Sequence, residues 1–213
     1  MKFIFTRLVI FLLSVFVPTK KGLFIFGSWF GKKYGDNTRA LFEHLSNIQP
    51  ENVYWYTDNE KIASKIIASG NKCISGVNMK NIFLHLRAEA VFCNCSANSD
   101  LLGGYINKRT KVFNLWHGTP MKKIGKDAVK SGLSHTRLGM SKPNLTLSLI
   151  KKILPSTFYN FLKLDTYYLA SSPEVSKILQ GAMGVNEEKI ITCGYPKLGK
   201  VRISRSFLPK LTR

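Results

Sequence analysis

Past the first eighteen residues the chain alternates short apolar, β-rich runs with longer amphipathic stretches. That pattern predicts a parallel sheet covered by helices. The run Leu23 to Ser28 is continuous enough for a buried strand. The loop Trp29 to Gly35 follows it, then a helix that Asp36 is placed to cap, with Ala40, Leu41, His44 and Leu45 on one face. Val53 to Thr57 reads as the second strand. The helix from about Asn59 to Ser69 turns Ile62, Ile66 and Ile67 inward, and Gly70 stops it. The unit then repeats, with a strand over Lys72 to Ser75, a helix over Met79 to Arg87 with Ile82, Phe83 and Leu86 inward, and strands over Ala90 to Asn94 and Lys111 to Trp116. Between the last two, Ser96 to Lys108 carries Gly103 and Gly104 among small polar residues, a loop or short irregular helix suited to lining a cleft.

Beyond His117 the alternation breaks. Met121 to Ser141 is rich in Gly, Lys and Ser with few core positions, a long surface excursion of the kind that tends to be functional or mobile. Asn144 to Leu154 and Phe158 to Leu164 are apolar stretches separated by Pro155, suited either to the core or to a membrane face. Regular alternation returns with a strand over Thr166 to Ala170, a helix capped by Ser172 with Pro173 in its first turn and Gly184 at its end, and a last strand over Lys189 to Cys193. There is no internal repeat. The organisation expected is an apolar helix over 1–19, a Rossmann-like domain over 20–196 containing a basic excursion at 121–164, and a basic tail over 197–213.

The amino terminus changes the picture. From Phe3 to Val17 only Thr6, Arg7 and Ser14 interrupt an apolar run, flanked by Lys2 and by Lys20 and Lys21. At ~1.5 Å per helical residue it spans roughly 22 Å, short of the ~30 Å hydrocarbon core. This suits a helix lying in the membrane interface, peripheral or monotopic, held by apolar burial and attraction to anionic lipid. A signal peptide would share the basic start, but no small-x-small cleavage site follows. A buried core helix is the other alternative.

With 213 residues, 45% of them hydrophobic and 12% aromatic, the chain is too apolar for a disordered one and long enough for one sizeable core. Charge is the abnormal feature: 32 Lys and Arg against 12 Asp and Glu give a net +20. Such a field draws polyanions without choosing among nucleic acid, lipid headgroups and phosphate-rich substrates. No basic-aromatic reading motif accompanies the charge, so no nucleic-acid partner is expected. Cys73, Cys93, Cys95 and Cys193 lack the spacing of a disulfide scaffold or zinc site; they read as reduced thiols, and no metal is expected.

Two places can carry chemistry. In open α/β sheets ligands gather outside the carboxyl ends of the strands, and His117 directly follows the fifth strand in Trp116-His117-Gly118-Thr119-Pro120. Histidine suits proton abstraction from an alcohol near neutral pH, Gly118 permits close backbone approach, and Lys122, Lys123 and Lys126 lie just beyond to hold an oxyanion or phosphate. A strand-terminal histidine can equally be a structural residue. The second place is the first strand-to-helix loop, where Ser28, Lys32, Lys33 and Asn37 accompany three glycines. It has the location of a phosphate-cradling loop but fits neither the dinucleotide fingerprint nor the Walker pattern, and a tight turn needing glycine explains it as well.

Three features in order resemble the CDP-glycerol glycerophosphotransferase family of teichoic-acid primases and polymerases. They are Phe26 to Leu45 with its Ser-Trp-Phe-Gly-Lys-Lys-Tyr-Gly-Asp-Asn core, the stretch Trp116 to Asp127, and Gly194-Tyr195-Pro196. The resemblance implies the amino-terminal, acceptor-side domain of a GT-B fold at the cytoplasmic face of the membrane. It implies transfer of glycerol phosphate, or a related polyol phosphate, from a CDP-linked donor to the hydroxyl of a lipid-linked acceptor, with no metal or other cofactor. His117 matches the family's histidine, the implied base, and Thr119 and the lysines after it would lie near the phosphates. The family continues its Gly-Tyr-Pro with a basic residue, Asn and Asp; here Lys197 is followed by Leu198 and Gly199. The expectation is a truncated chain lacking the carboxyl-terminal donor domain, or a half that needs a second chain to supply it. The alternatives are a non-catalytic basic module that binds membrane or acceptor, and a sugar-transferring GT-B relative.

Overall fold

A computed structural model describes residues 9–14, 16–131 and 163–199. Seven parallel strands form one sheet: β1 (Lys20–Phe26), β2 (Val53–Thr57), β3 (Cys73–Ser75), β4 (Ala88–Cys93), β5 (Lys111–Asn114), β6 (Asp165–Ala170) and β7 (Ile190–Thr192). Their spatial order is β3-β2-β1-β4-β5-β6-β7, so the chain reverses its direction of travel across the sheet between β1 and β4. The central strands are buried on both faces, which is why they read as unbroken apolar runs.

The helices lie on both faces. α1 (Asp36–Ile48) and α2 (Glu60–Ala68) pack Leu41, Phe42, Leu45 and Ile66 onto Phe24, Phe26, Trp55, Phe92 and Phe113. On the opposite face α3 (Met79–Arg87) and the short α4 (Ala97–Asp100) cover Ile25, Tyr56, Val91 and Val112. α6 (Pro173–Met183) covers Ala170 and Ile190, and α5 (Gly125–Lys130) packs against α6. Ser172 caps α6 through its hydroxyl, Pro173 opens it, and Gly184 ends it in the left-handed conformation, as the sequence predicts.

Several local expectations need correction. Asp36 does not cap α1: Gly35 is the cap residue, and Asp36 sits inside the first turn at φ 60° with its carboxylate engaged elsewhere. Ile67 and Phe83, expected inward, are exposed; Ile66 and Leu86 are buried as expected, joined by Ala63 in α2 and by Asn81 and His85 in α3. A half-buried helix carries one more apolar residue than its buried stripe can hold, and spacing alone does not say which is left out. The excursion after His117 contains α5, whose Ala128 is fully buried. The expected helices over 144–154 and 158–164 fall outside the described residues, except for 163 and 164, as does the tail from 200.

Residues 9–13 are helical; Ile10 and Phe11 are buried, whereas Val9, Leu12, Leu13 and Phe16 are exposed. The Asn107 side-chain amide donates to the carbonyls of Val17 and Leu86, tying this segment to the end of α3. Among the described residues no helix is long and apolar enough to cross a membrane.

The tips of β1 and β4 are latched together by Asp100, which is fully buried. Its carboxylate accepts from the backbone N–H of Phe30 (2.9 Å) in the loop after β1, and from those of Asn94 (2.9 Å) and Cys95 (2.8 Å) after β4. The Asp100 carbonyl in turn presses on Gly27, where a Cβ would come within 2.3 Å of it, so only glycine fits. Replacing Asp100 with Ala strands buried N–H donors at about 1–3 kcal/mol each, and we expect a loss of about 3 kcal/mol, read from urea unfolding.

His85 sets an acid limit on the fold. Its imidazole is fully buried, donating from Nδ1 to the Asn81 carbonyl (2.7 Å) and accepting at Nε2 from Leu102 N–H. Burial pushes its pKa down to about 4, partly opposed by the bond to Asn81. The unfolded histidine binds its proton near pH 6.5 and the folded one only near 4, so this stability is present above 6.5 and is lost as pH falls toward 4. The loss amounts to about 3 kcal/mol. Denaturant titrations between these pH values should show it in the wild type, with a flatter dependence for His85→Gln.

Candidate active site

The site lies at the carboxyl edge of the sheet, beside the β1/β4 reversal, where parallel α/β sheets bind ligands. After β5 the chain turns sharply: Leu115 is buried, Trp116 adopts φ 56°, and His117 emerges exposed. Non-glycine residues with left-handed backbone are strained, yet four occur here: Trp29 and Phe30 in the loop after β1, Asp36 at the start of α1, and Trp116 in the turn after β5. Among the described residues, every left-handed non-glycine position is at this edge.

Side-chain hydrogen bonds hold that backbone. The Asn37 amide donates to the carbonyls of Leu115 (3.0 Å) and Trp116 (2.9 Å), and its Oδ1 accepts from the Lys197 backbone N–H. Asn114 accepts from Trp116 N–H and donates to the Cys95 carbonyl. The turn Pro196–Leu198, following β7, packs against α1 and brings Lys197 to the same point. Its ammonium lies 2.7 Å from Asp36 Oδ1 and 2.7 Å from the His117 carbonyl oxygen. The other Asp36 oxygen accepts from the Trp29 indole N–H. Burial alone would raise the Asp36 carboxyl, but hydrogen bonds from Lys197 and Trp29, with the charges of Lys197 and His117, outweigh it and hold the pKa below its ordinary value.

The His117 imidazole stacks on Trp116 (4.9 Å between centroids) and touches Trp29 (5.3 Å). Neither ring nitrogen hydrogen-bonds to a described residue, so both are open to a ligand. Lys33 lies 5.0 Å above the Trp29 ring, a cation–π contact within the loop after β1. Gly118 faces open space, and Thr119 is exposed.

The other sequence candidates divide. Ser28 is buried with its hydroxyl donating to the Lys33 carbonyl, so it closes the loop and does not face a ligand. Asn37 likewise holds backbone through both ends of its side-chain amide. Lys32, Lys122 and Lys123 are exposed. Lys126 is directed elsewhere: its side chain lies against Gly184, at the carboxyl end of α6, whereas α6 starts at the strand-tip edge. An eleven-residue helix is about 16 Å long, which separates Lys126 from that edge.

Trp29 and Asp36 stand in the family-like loop motif and Lys197 follows Gly-Tyr-Pro, yet none of them was expected beside His117, and Asp100 stands in no motif. In a chain with only 12 acidic residues, an aspartate in the loop after a strand was the available signal for Asp36 and Asp100. Asn94, at the tip of β4, is also buried, and its side-chain amide has no hydrogen-bond partner among the described residues. All four cysteines have raised thiol pKa values through burial, Cys73 and Cys95 to about 11, so they are not thiolates at neutral pH. Among the described residues no group of three or more His, Cys, Asp or Glu could hold a metal ion.

The chain is 30% identical over 188 residues to a teichoic acid glycerol-phosphate transferase of Staphylococcus aureus, covering 87% of this chain and 43% of that protein. It is 28% identical over 137 residues to a teichoic acid poly(glycerol phosphate) polymerase of Bacillus subtilis, covering 63% of this chain and 18% of that one. The chain therefore spans less than half the length of these curated relatives. The solved wall teichoic acid polymerase TagF superimposes with a TM-score of 0.59 at 20% identity, over 90% of this chain and 43% of its own. A variant of that polymerase soaked with CDPG gives 0.64 at 19% identity, over 97% and 47%. These matches establish the α/β Rossmann-like fold. The family model for CDP-glycerol:poly(glycerophosphate) glycerophosphotransferase matches residues 9–205, nearly the whole chain, and the protein with its His117 site belongs to that family.

Proposed function

We propose that this chain forms the acceptor side of a transferase that moves glycerol phosphate, or a related polyol phosphate, from a CDP-linked donor to the hydroxyl of a lipid-linked acceptor. The observation that carries the reading is His117: an exposed imidazole with both nitrogens open, fixed at a strained turn on the ligand-binding edge, in a chain of this family. A ring nitrogen takes the proton as the acceptor hydroxyl oxygen bonds to the donor's β-phosphorus. The bond from that phosphorus to the oxygen bridging it to the α-phosphate breaks, and CMP leaves with the electron pair. Lys33, with Lys32, Lys122 and Lys123 on nearby loops, supplies positive charge for the phosphates. We assign the nucleotide grip to a second domain, in the same or a partner chain, a reading supported by the chain's spanning less than half the length of its curated relatives.

Release of CMP from CDP-glycerol with acceptor membranes, measured with and without a separately produced second domain of the S. aureus relative, tests this. His117→Asn should reduce turnover at least about 100-fold, the usual range for a general base. Equal rates would remove His117 from the chemistry. Turnover with nucleotide sugars in place of CDP-alditols would favour sugar transfer, and acceptor binding without turnover a binding module.

We also place the protein at the cytoplasmic face of the membrane, peripherally, through Leu12, Leu13 and Phe16, which face solvent beside Lys20 and Lys21. Replacing all three with Ser removes apolar burial worth about 1.5 kcal/mol or more per side chain, and should weaken co-sedimentation with anionic vesicles at least about tenfold. Unchanged co-sedimentation would move the membrane contact elsewhere.

A further inference from the structure

Lys197 makes more contacts with the His117 turn than its place in a basic carboxyl-terminal stretch suggests. Its backbone N–H donates to Asn37, the residue that holds the Leu115 and Trp116 carbonyls; its ammonium bridges the Asp36 carboxylate and the His117 carbonyl. Asp36 in turn holds the Trp29 indole, whose ring lies against the imidazole. Three elements distant in sequence, the loop after β1, the turn after β5 and the turn after β7, thus meet on one ammonium group. Two of the residues it organises, Asp36 and Trp116, stand directly in or beside its contacts with left-handed backbone that no local preference supports.

We propose that Lys197 is a positioning residue for His117, acting directly on its carbonyl and, through Asp36 and Trp29, on the placement of its ring. The catalytic consequence rests on the reading of His117 as base; the positioning does not. The ammonium is suited to the task because it offers three donors on one atom and can join a carboxylate to a carbonyl that face each other. A neutral side chain of the same length leaves Asp36 without its ion-pair partner and the His117 carbonyl without a donor. The indole and the imidazole then lose the constraint that keeps them in contact.

The test is spectroscopic and uses the full chain. In the wild type the His117 ring protons, identified by their absence in His117→Gln, should carry the upfield displacement that two adjacent indoles impose. In Lys197→Met that displacement should be lost and the Trp29 indole N–H signal should move, while Lys197→Arg, which keeps the charge and donors, should restore much of both. Asp36→Asn, nearly the same shape, should release Trp29 and reproduce the loss should Lys197→Met fail to fold by circular dichroism. A folded Lys197→Met with lowered thermal stability but unchanged His117 and Trp29 signals would overturn the proposal, since that is what a merely structural lysine gives. So would an unchanged spectrum in Asp36→Asn. Retained transfer in His117→Asn would sink the base assignment alone, leaving the positioning to be read from the spectra.

Discussion

A ladder of aromatic rings across the middle of the sheet fixes everything built at its edge. Phe26 stacks on Phe92 at 4.3 Å and 6°, Phe92 on Phe113 at 5.2 Å and 17°, and Phe113 on Tyr167 at 5.3 Å and 21°, so one ring from each of β1, β4, β5 and β6 lies in a row. Each contact adds about 0.5–1.5 kcal/mol beyond burial, and each binds a particular register, because a slip of one residue would send the ring to the other face. The pairings Phe26 with Phe92, Phe92 with Phe113 and Phe113 with Tyr167 are those the stacking demands. With register fixed, the tips of β1, β4 and β5 end at a common level, and the loops that leave them meet.

What those loops do there runs against local preference. Trp29, Phe30, Asp36 and Trp116 have backbone angles that glycine or asparagine takes more readily, at a cost of order 1–3 kcal/mol each. The compensation is a set of side chains committed to backbone: Asp100 on the loops after β1 and β4, Asn37 and Asn114 on the turn after β5. The result is a rigid platform from which one imidazole is presented to solvent. Strain concentrated around an exposed, unengaged histidine is better explained by a need to place that ring than by folding stability, which a glycine at these positions would serve at lower cost.

The sheet was legible because its central strands are buried on both faces and so appear as unbroken apolar runs, and because Ser172, Pro173 and Gly184 punctuate α6 by mechanisms that act within a few residues. The outward turn of Ile67 and Phe83 was not, since a helix with surplus apolar positions reveals its buried stripe only when its neighbour is known. The place of His117 at the sheet edge was legible from position, as a histidine directly beyond a strand. Its supports were not: Lys197 and Asp36 are 161 residues apart, Asp100 and Phe30 are 70 apart, and contacts of that range leave no periodicity. Ser28, Asn37 and Lys126 show the converse limit: residue type and position suggest phosphate, while contacts with the Lys33 carbonyl, the Leu115 carbonyl and Gly184 leave no trace in the local sequence.

The strong positive charge takes on meaning when the acids are located. With 12 acidic residues against 32 basic ones, an unpaired aspartate at this edge would oppose the attraction that the net positive charge exerts on anions. Asp100 is buried beneath backbone donors, and Asp36 is covered by Lys197 and the Trp29 indole, so neither presents a free negative charge at the carboxyl edge of the sheet. The contacts that fix Asp36 and Asp100 therefore also leave the surface around His117 without a free carboxylate from either of them. That coupling explains why carboxylates stand beside the candidate base at all: they shape the turn while their charge is held within the protein.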